Sequence, residues 1–511
     1  MSFCRKRHNL MNKRLLCLLV LLAACGLPLY GAVAGDGSII MSTAREEEIG
    51  REAAAQVEAS MGLVRDPALE AYVDSIGKRL AAKAPRQEVT YRFHIVNMPE
   101  PNAFALPGGH IYVSRGLLAL TSSEEELANV MAHEIAHVSA RHSAEREVQE
   151  KAARIFSILG VVAGLAAGDG GAAAAAGMVG QSYLAAYNRE QEHEADRLGQ
   201  SLSIRAGWDP TGMYDFLHKL ENWTRLETGT SREAGYFDTH PSTPERVAKA
   251  STRARSLLNH GERMKSEITP AEYIQHLDGL VVADNPEEGV FQGMRFLHVD
   301  LDFTLRFPRG WEVRNTPMAV GAIAPPRQEA MITLEAPSNG EDPEATARAM
   351  AEREGIHFFE ASPMKVGKLP AFHAVWEDHM GGDKVVADCV WIAYSGRIWR
   401  IQGVASGPTY RSSKGAFKST MRSFRPLTEK EKKSVQAIRL RVLQARAGES
   451  LQQLGKRTKN QWTVHETAVR NGIFADEVLS QGQELKVAIA EDYNPIPVQP
   501  KNEKTTPSPK E

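Results

Sequence analysis

Cysteine is nearly missing from this chain: of 511 residues only four are cysteine, and Cys4, Cys17 and Cys25 all fall near the N-terminus. Beyond residue 34 only Cys389 remains, so no intrachain disulfide can staple the body and its stability must come from apolar cores. Cys389 alternates with Ala387 and Trp391 in a strand pattern, which reads as a buried, inert thiol and not a nucleophile. Net charge is also nearly absent. The 61 basic and 63 acidic residues leave −2 with no dominant block of either sign, which excludes a nucleic-acid binder driven by overall basicity. No Ser/His/Asp or Cys/His arrangement is recognisable, and no phosphate-binding glycine loop stands before a helix. What is present is a 42% hydrophobic composition, enough to exclude wholesale disorder, on a length that suits roughly three domains.

Residues 1–34 carry Arg5, Lys6, Arg7, Lys13 and Arg14 and no acid, then the apolar run Leu15 to Ala24 and a small-residue end at Gly31-Ala32-Val33-Ala34. This reads as an export signal of bacterial type, either from Met1 or from Met11. Cleavage after Ala34 releases a soluble protein with 56 basic and 63 acidic residues, a net charge of −7. The alternative is lipidation at Cys25, because Leu22-Ala23-Ala24-Cys25-Gly26 resembles a lipobox. An uncleaved anchor is the third reading, but Gly26, Pro28 and Gly31 interrupt the roughly 20-residue apolar span it needs. The expected location is periplasmic, soluble or lipid-anchored.

Helical patterning covers residues 42–87, followed by short strands at 90–96 and 110–114 around the turn Leu106-Pro107-Gly108-Gly109. Thr121-Ser122-Ser123-Glu124-Glu125-Glu126 is a helix start, with either serine as cap and acids at the positive end of the dipole. That helix is expected to run to about Arg154. Residues 155–180 are Gly/Ala-rich with Asp169 as their only charge, and read as a helical hairpin, with membrane contact as the alternative. A further helix is expected over about Gln181 to Ala206. From about residue 283 the period changes to two, with helices expected over 343–354 and 414–423, which marks a separate α+β domain. Glu429 to Lys433 reads as a solvated helix face or linker, and 491–511 as a disordered tail.

The informative residues are His133-Glu134-Ile135-Ala136-His137. On a helix His133 and His137 lie four apart, so both imidazoles leave one face and can share a metal ion. Imidazole is a good zinc ligand, and Glu134 beside the first ligand is placed to take a proton from a zinc-activated water. Catalytic zinc needs a third protein ligand. Glu192 and Asp196, four apart on a second helix, supply Glu192 as that ligand and Asp196 as an acceptor orienting a ligand histidine. Glu194 sits about 200° around the helix from Glu192, and His142 about 140° from His137, which places His142 at the surface.

Four elements in order carry a resemblance: Asn102-Ala103-Phe104-Ala105-Leu106-Pro107-Gly108-Gly109-His110-Ile111, His133-Glu134-x-x-His137, Glu192-x-x-x-Asp196, and Thr239-His240-Pro241 with Arg246. Together, over residues 42–255, they resemble the M48 family of zinc metallopeptidases, specifically its periplasmic bacterial members. The resemblance implies a mainly helical gluzincin-type endopeptidase with one zinc per chain on His133, His137 and Glu192, and Glu134 as general base and acid. It places His240 near the metal, as an oxyanion stabiliser or a fourth ligand in a resting enzyme, and Arg246 where it can polarise the scissile carbonyl. Gly109, His110 and Ile111 resemble the start of a substrate-facing edge strand, to which an unfolded peptide adds. Asn188 is a departure, since many relatives have serine there.

Near the C-terminus, Ala447-Gly448-Glu449-Ser450-Leu451, Leu454-Gly455-Lys456-Arg457, Asn471-Gly472-Ile473 and Leu479-x-x-Gly482-Gln483-x-Leu485-x-Val487 resemble a LysM module. That family implies a βααβ fold and N-acetylglucosamine-containing glycans such as peptidoglycan. The expected architecture is therefore α+β and multidomain: an export signal at 1–34, a zinc peptidase domain at 35–260, an α+β domain at 268–427, a LysM-like module at 436–490 and the tail at 491–511. The expected activity is peptide-bond hydrolysis in unfolded or misassembled envelope proteins. Two rival readings remain: an envelope chaperone or scaffold with a latent metal site, and a peptidoglycan-binding module protein.

Overall fold

A computed structural model describes residues 42–142, 187–227, 236, 240, 244–259, 267–317, 319–325, 328–380 and 383–495. The export signal, Cys25, the Gly/Ala-rich segment, Thr239, Pro241 and residues 496–511 of the expected tail lie outside them. Among the described residues no helix is long and apolar enough to cross a membrane.

The first unit is built on helices α1 (Thr43–Met61), α2 (Pro67–Ala81), α3 (Arg115–Leu120), α4 (Glu124–Ser139), α5 (Arg189–Ala206), α6 (Gly212–Glu227) and α7 (Pro244–Asn259), with strands β1 (Arg92–Val96), β2 (Ala103–Leu106) and β3 (His110–Ser114). Ser123 caps α4 by accepting from the Glu126 N–H, so the second of the two candidate serines is used. Helix α4 is shorter than expected. It ends at Ser139, Ala140 is its C-cap, and Arg141 sits at φ 61°, a left-handed conformation that turns the chain away from the axis. Helix α5 starts at Arg189, later than the expected Gln181. Asn188 takes an extended conformation and accepts from the Gln191 N–H in a reciprocal capping box, and Gly207 closes the helix at φ 100°. Asparagine and serine are both strong caps, which gives the Asn188 departure a structural meaning.

The small sheet has the order β1-β3-β2. His110 pairs with Arg92 on one side and Leu106 on the other, so β3 is central and its backbone is engaged by both neighbours. The expectation of a substrate-facing edge at His110 and Ile111 is therefore corrected: no strand can add there. Among the described residues β2 is an outer strand of this sheet, packs on α4, and has all four of its residues buried. Helices α2, α4, α5 and α6 close over this sheet around Leu80, Leu117, Leu127, Met131, Ile135, Met213 and Phe216, all buried. The same core takes in Tyr273, Ile274, Leu277 and Leu280 from beyond residue 267, and Leu440.

The second unit holds β4 (Val290–Gln292), β5 (Arg295–His298), β6 (Phe303–Arg306), β7 (Glu312–Asn315), β8 (Val320–Ile323), β9 (Ala330–Asn339), β10 (Glu360–Val366), β11 (Leu369–Met380), β12 (Asp383–Tyr394), β13 (Arg397–Ser406) and β14 (Arg425–Pro426). Seven strands form one antiparallel sheet in the order β10-β11-β12-β13-β9-β8-β7, and four form a second in the order β14-β6-β5-β4. Helices α8 (Pro343–Glu354) and α9 (Gly407–Arg422) pack on the larger sheet. Ser395 and Gly396, both at positive φ, make the two-residue turn whose twist suits the β12–β13 hairpin. Cys389 is free and fully buried, and burial pushes its thiol well up.

The last unit runs β15 (Gln436–Gln444), α10 (Leu451–Thr458), α11 (Val464–Asn471) and β16 (Glu484–Asp492), with the two strands antiparallel. Residues 279–282 bond to β15 through Gly279 N–Leu440 O at 2.8 Å and Val282 N–Ile438 O at 2.9 Å. This unit is pinned to the first. The Lys486 side-chain nitrogen, fully buried and with its pKa pushed well down by that burial, lies within hydrogen-bond distance of the carbonyls of Ala119, Leu120 and Thr121 at the C-terminal end of α3. The Arg470 guanidinium lies between the Trp223 and Trp462 rings, 4.1 and 4.5 Å from their centroids.

Candidate metal centre

Two buried helices present the site. α4 brings His133, Glu134 and His137, and α5 crosses it with Glu192 and Asp196 on one face. The crossing is close because Gly199 stands where any Cβ would lie 2.9 Å from the His133 backbone nitrogen. His240 enters from the chain leading to α7, and Arg246 from α7 itself. All seven side chains are buried.

The ligand atoms converge. His133 Nε2 lies 3.0 Å from His137 Nε2 and 3.3 Å from His240 Nδ1, and Glu192 oxygens lie 3.4, 3.5 and 2.9 Å from His137, His133 and His240. His133, His137, Glu192 and His240 form a set whose ligand atoms all fall within 4.8 Å of one another. Zinc–ligand bonds of about 2.0–2.1 Å in a tetrahedron put ligand atoms about 3.3–3.4 Å apart, so the spacing and the N/N/O/N donor set fit zinc. Four protein donors are as many as a closed tetrahedral site takes, whereas a catalytic site keeps one position open.

The groups behind the ligands are arranged with equal care. Asp196 Oδ1 lies 3.0 Å from His133 Nδ1, fixing that ring with Nε2 turned to the metal position. Arg246 donates to both Asp196 oxygens at 2.9 Å and reaches Glu192 Oε2 at 2.6 Å. The expected role of Arg246 in polarising a scissile carbonyl thus gives way to one in holding two buried carboxylates. Burial alone would raise the Glu192 and Asp196 carboxyls, but the His240 and Arg246 charges hold Glu192 well below its usual range, and Arg246 and His133 do the same for Asp196. Burial would lower His133, yet hydrogen bonds to Asp196 and Glu192 outweigh it and raise the imidazole to about 9. His137 moves the other way, well down, under burial. Glu134 is raised by burial, and its nearest described partner, His240 Nε2, is 3.5 Å away.

Two tyrosines that the sequence did not single out, and one histidine that it placed elsewhere, complete the site. Tyr187 stacks on the His137 ring at 3.8 Å and 17°, and Tyr236 on His240 at 4.4 Å and 21°. His142, expected at the surface, is 2% exposed, with Nδ1 2.9 Å from His137 Nδ1. The reason is the early end of α4: helical spacing stops applying at Ala140, and the left-handed Arg141 swings His142 back under the ligand face. No local signal marks Arg141 for that conformation, which favours glycine or asparagine.

The residues that hold this centre lie within a stretch, 67–254, that matches the model of Peptidase family M48. The chain is 34% identical over 237 residues to the beta-barrel assembly-enhancing protease of Escherichia coli K12, covering 45% of this chain and 47% of that one. The protein of the same name from Yersinia pestis is 34% identical over 240 residues, covering 46% and 48%. The mitochondrial metalloendopeptidase OMA1 of Schizosaccharomyces pombe is 31% identical over 186 residues, covering 35% and 51%. The chain spans about half the length of these curated relatives.

Proposed function

We propose that the protein is an exported zinc-dependent endopeptidase that hydrolyses peptide bonds in unfolded or misassembled envelope proteins. The observation that carries this reading is the convergence of His133, His137, Glu192 and His240 on one metal-sized position with the Glu134 carboxyl beside it. His133, His137 and Glu192 hold the ion. Zinc, when bound, supplies a Lewis acid for the scissile carbonyl and lowers the pKa of water toward about 7. Glu134 takes the proton of the attacking water and hands it to the leaving amine nitrogen. Asp196 and Arg246 keep His133 and Glu192 in place. The names of the relatives, a beta-barrel assembly-enhancing protease and a mitochondrial metalloendopeptidase, support protein substrates.

His240 in the donor set, with every site residue buried, supports the reading of a resting enzyme whose fourth position is held shut. The test is zinc content by elemental analysis and cleavage of unfolded casein by wild type, Glu134→Gln and His240→Ala. Glu134→Gln keeps zinc and loses cleavage, and His240→Ala gains it. Wild type and His240→Ala that bind zinc but cleave nothing across many unfolded substrates point instead to a scaffold. The βααβ unit supports a second, additional reading as a LysM-like glycan contact, because Phe474 and Val478 between α11 and β16 are 79% and 70% exposed. Retention of the full chain on purified peptidoglycan, released by N-acetylglucosamine oligomers, tests it.

A further inference from the structure

We infer that His142 is a positioning residue of the metal centre, fixing the His137 ring through an imidazole–imidazole hydrogen bond. The inference rests on the reading of His137 as a zinc ligand through Nε2. A neutral imidazole that gives Nε2 to a metal carries its proton on Nδ1 and needs an acceptor there. For His133 the acceptor is Asp196. For His137 it is His142 Nδ1, at 2.9 Å with the rings 71° apart. His142 must then carry its own proton on Nε2, and that atom faces the Glu194 carboxylate at 3.4 Å.

The second helix therefore backs both ligand histidines. Asp196 acts directly on His133, and Glu194, on a different face of α5, acts on His137 through His142. Tyr187 restrains the face of the His137 ring while His142 restrains its edge. The two supports differ in kind. His133 leans on a charged carboxylate clamped by Arg246, His137 on a neutral ring whose own partner is half exposed. The backbone serves this arrangement, since a non-glycine residue is held at φ 61° one position before His142. Arg141 is anchored there by Glu46 at 3.4 Å.

The experiment is zinc affinity of the full chain by chelator competition. His142→Phe keeps the ring volume but removes the acceptor, and is expected to bind zinc about 10–100-fold more weakly. His142→Asn places Oδ1 near the Nδ1 position and is expected to stay within about threefold of wild type. Nitrogen-15 spectra of histidine-labelled, zinc-loaded wild type should show His142 protonated on Nε2 and His137 on Nδ1. A Phe variant as tight as wild type, an Asn variant as weak as the Phe variant, or His142 protonated on Nδ1 overturns the inference. If the Phe variant does not fold, the spectra of the wild type decide. Wild type that binds no zinc, or His137→Ala that binds it unchanged, overturns the zinc reading and this inference with it. Tight wild-type binding lost in His137→Ala but kept in His142→Phe overturns this inference alone.

Discussion

Gly199→Ala is a one-methyl test of how the centre is assembled. Gly199 lies one turn after Asp196 on α5, and an added Cβ would stand 2.9 Å from His133 N, 3.0 Å from His133 Cα and 3.2 Å from Ala132 C. These are backbone atoms inside α4, so no side chain can rotate away, and ordinary contact at 3.4 Å or more requires the helices to part by about half an ångström. Overpacking of this kind costs about 1–3 kcal/mol, and alanine returns up to about 1 kcal/mol of helix preference. Net destabilisation of up to about 2 kcal/mol lowers the melting temperature of a domain this size by about 4–8 °C at most. Zinc affinity is the sharper readout. A site tolerates ligand displacements of about 0.2 Å, less than the shift that separates Glu192 from His133 and His137. Chelator competition should show a clear loss of affinity while the metal-free protein melts only slightly lower. Gly455→Ala in α10 is the control, because its Cβ meets only Asn460 at 3.9 Å and should stabilise by about 0.5–1 kcal/mol. Gly199→Ala with wild-type zinc affinity would refute the close-crossing argument.

Arg246→Met removes the cation shared by Asp196 and Glu192 and should cost the metal-free protein about 3–5 kcal/mol. Zinc restores part of the missing positive charge, so its thermal shift should be larger in the variant than in wild type; equal shifts would sink the clamp reading. Glu288, raised by burial from 4.5 to about 7 while accepting from Asn97, holds a proton in the folded state that the unfolded chain has released. Its contribution is thus full below about 4.5 and lost as pH rises through about 7. Glu288→Gln keeps the acceptor, cannot ionise, and should flatten the fall of the urea midpoint over that window. Lys486→Ala strips the donor from up to three buried carbonyls, at about 1 kcal/mol each, and hydrogen exchange in α11 and β16 should rise if that pin docks the last unit.

Much of the centre was legible because its parts are short-range. Four residues of helix put His133 over His137 and Glu192 over Asp196, and those pairs meet across α4 and α5. The serine before the glutamates capped α4, and the alternating residues around 303–307 and 385–404 became strands. The misreadings share a different cause. His142 was placed by extending helical geometry past a helix that had ended, and His110 was read as an edge without knowing which strands flank it. The start of α5 was set by one asparagine side chain competing with the helix, and Arg246 by two carboxylates that lie fifty or more residues earlier.

The sequence by itself determined which residues can share a helix face, because 3.6 residues per turn is a local rule that needs no neighbour. It therefore determined the two histidines, the glutamate between them and the carboxylate pair. Only the tertiary structure decided what stands behind each candidate ligand, that His240 joins the donor set, and that β3 lies between two paired strands. Those outcomes depend on which segments meet after distant stretches of chain pack together, and that choice is made by the whole core.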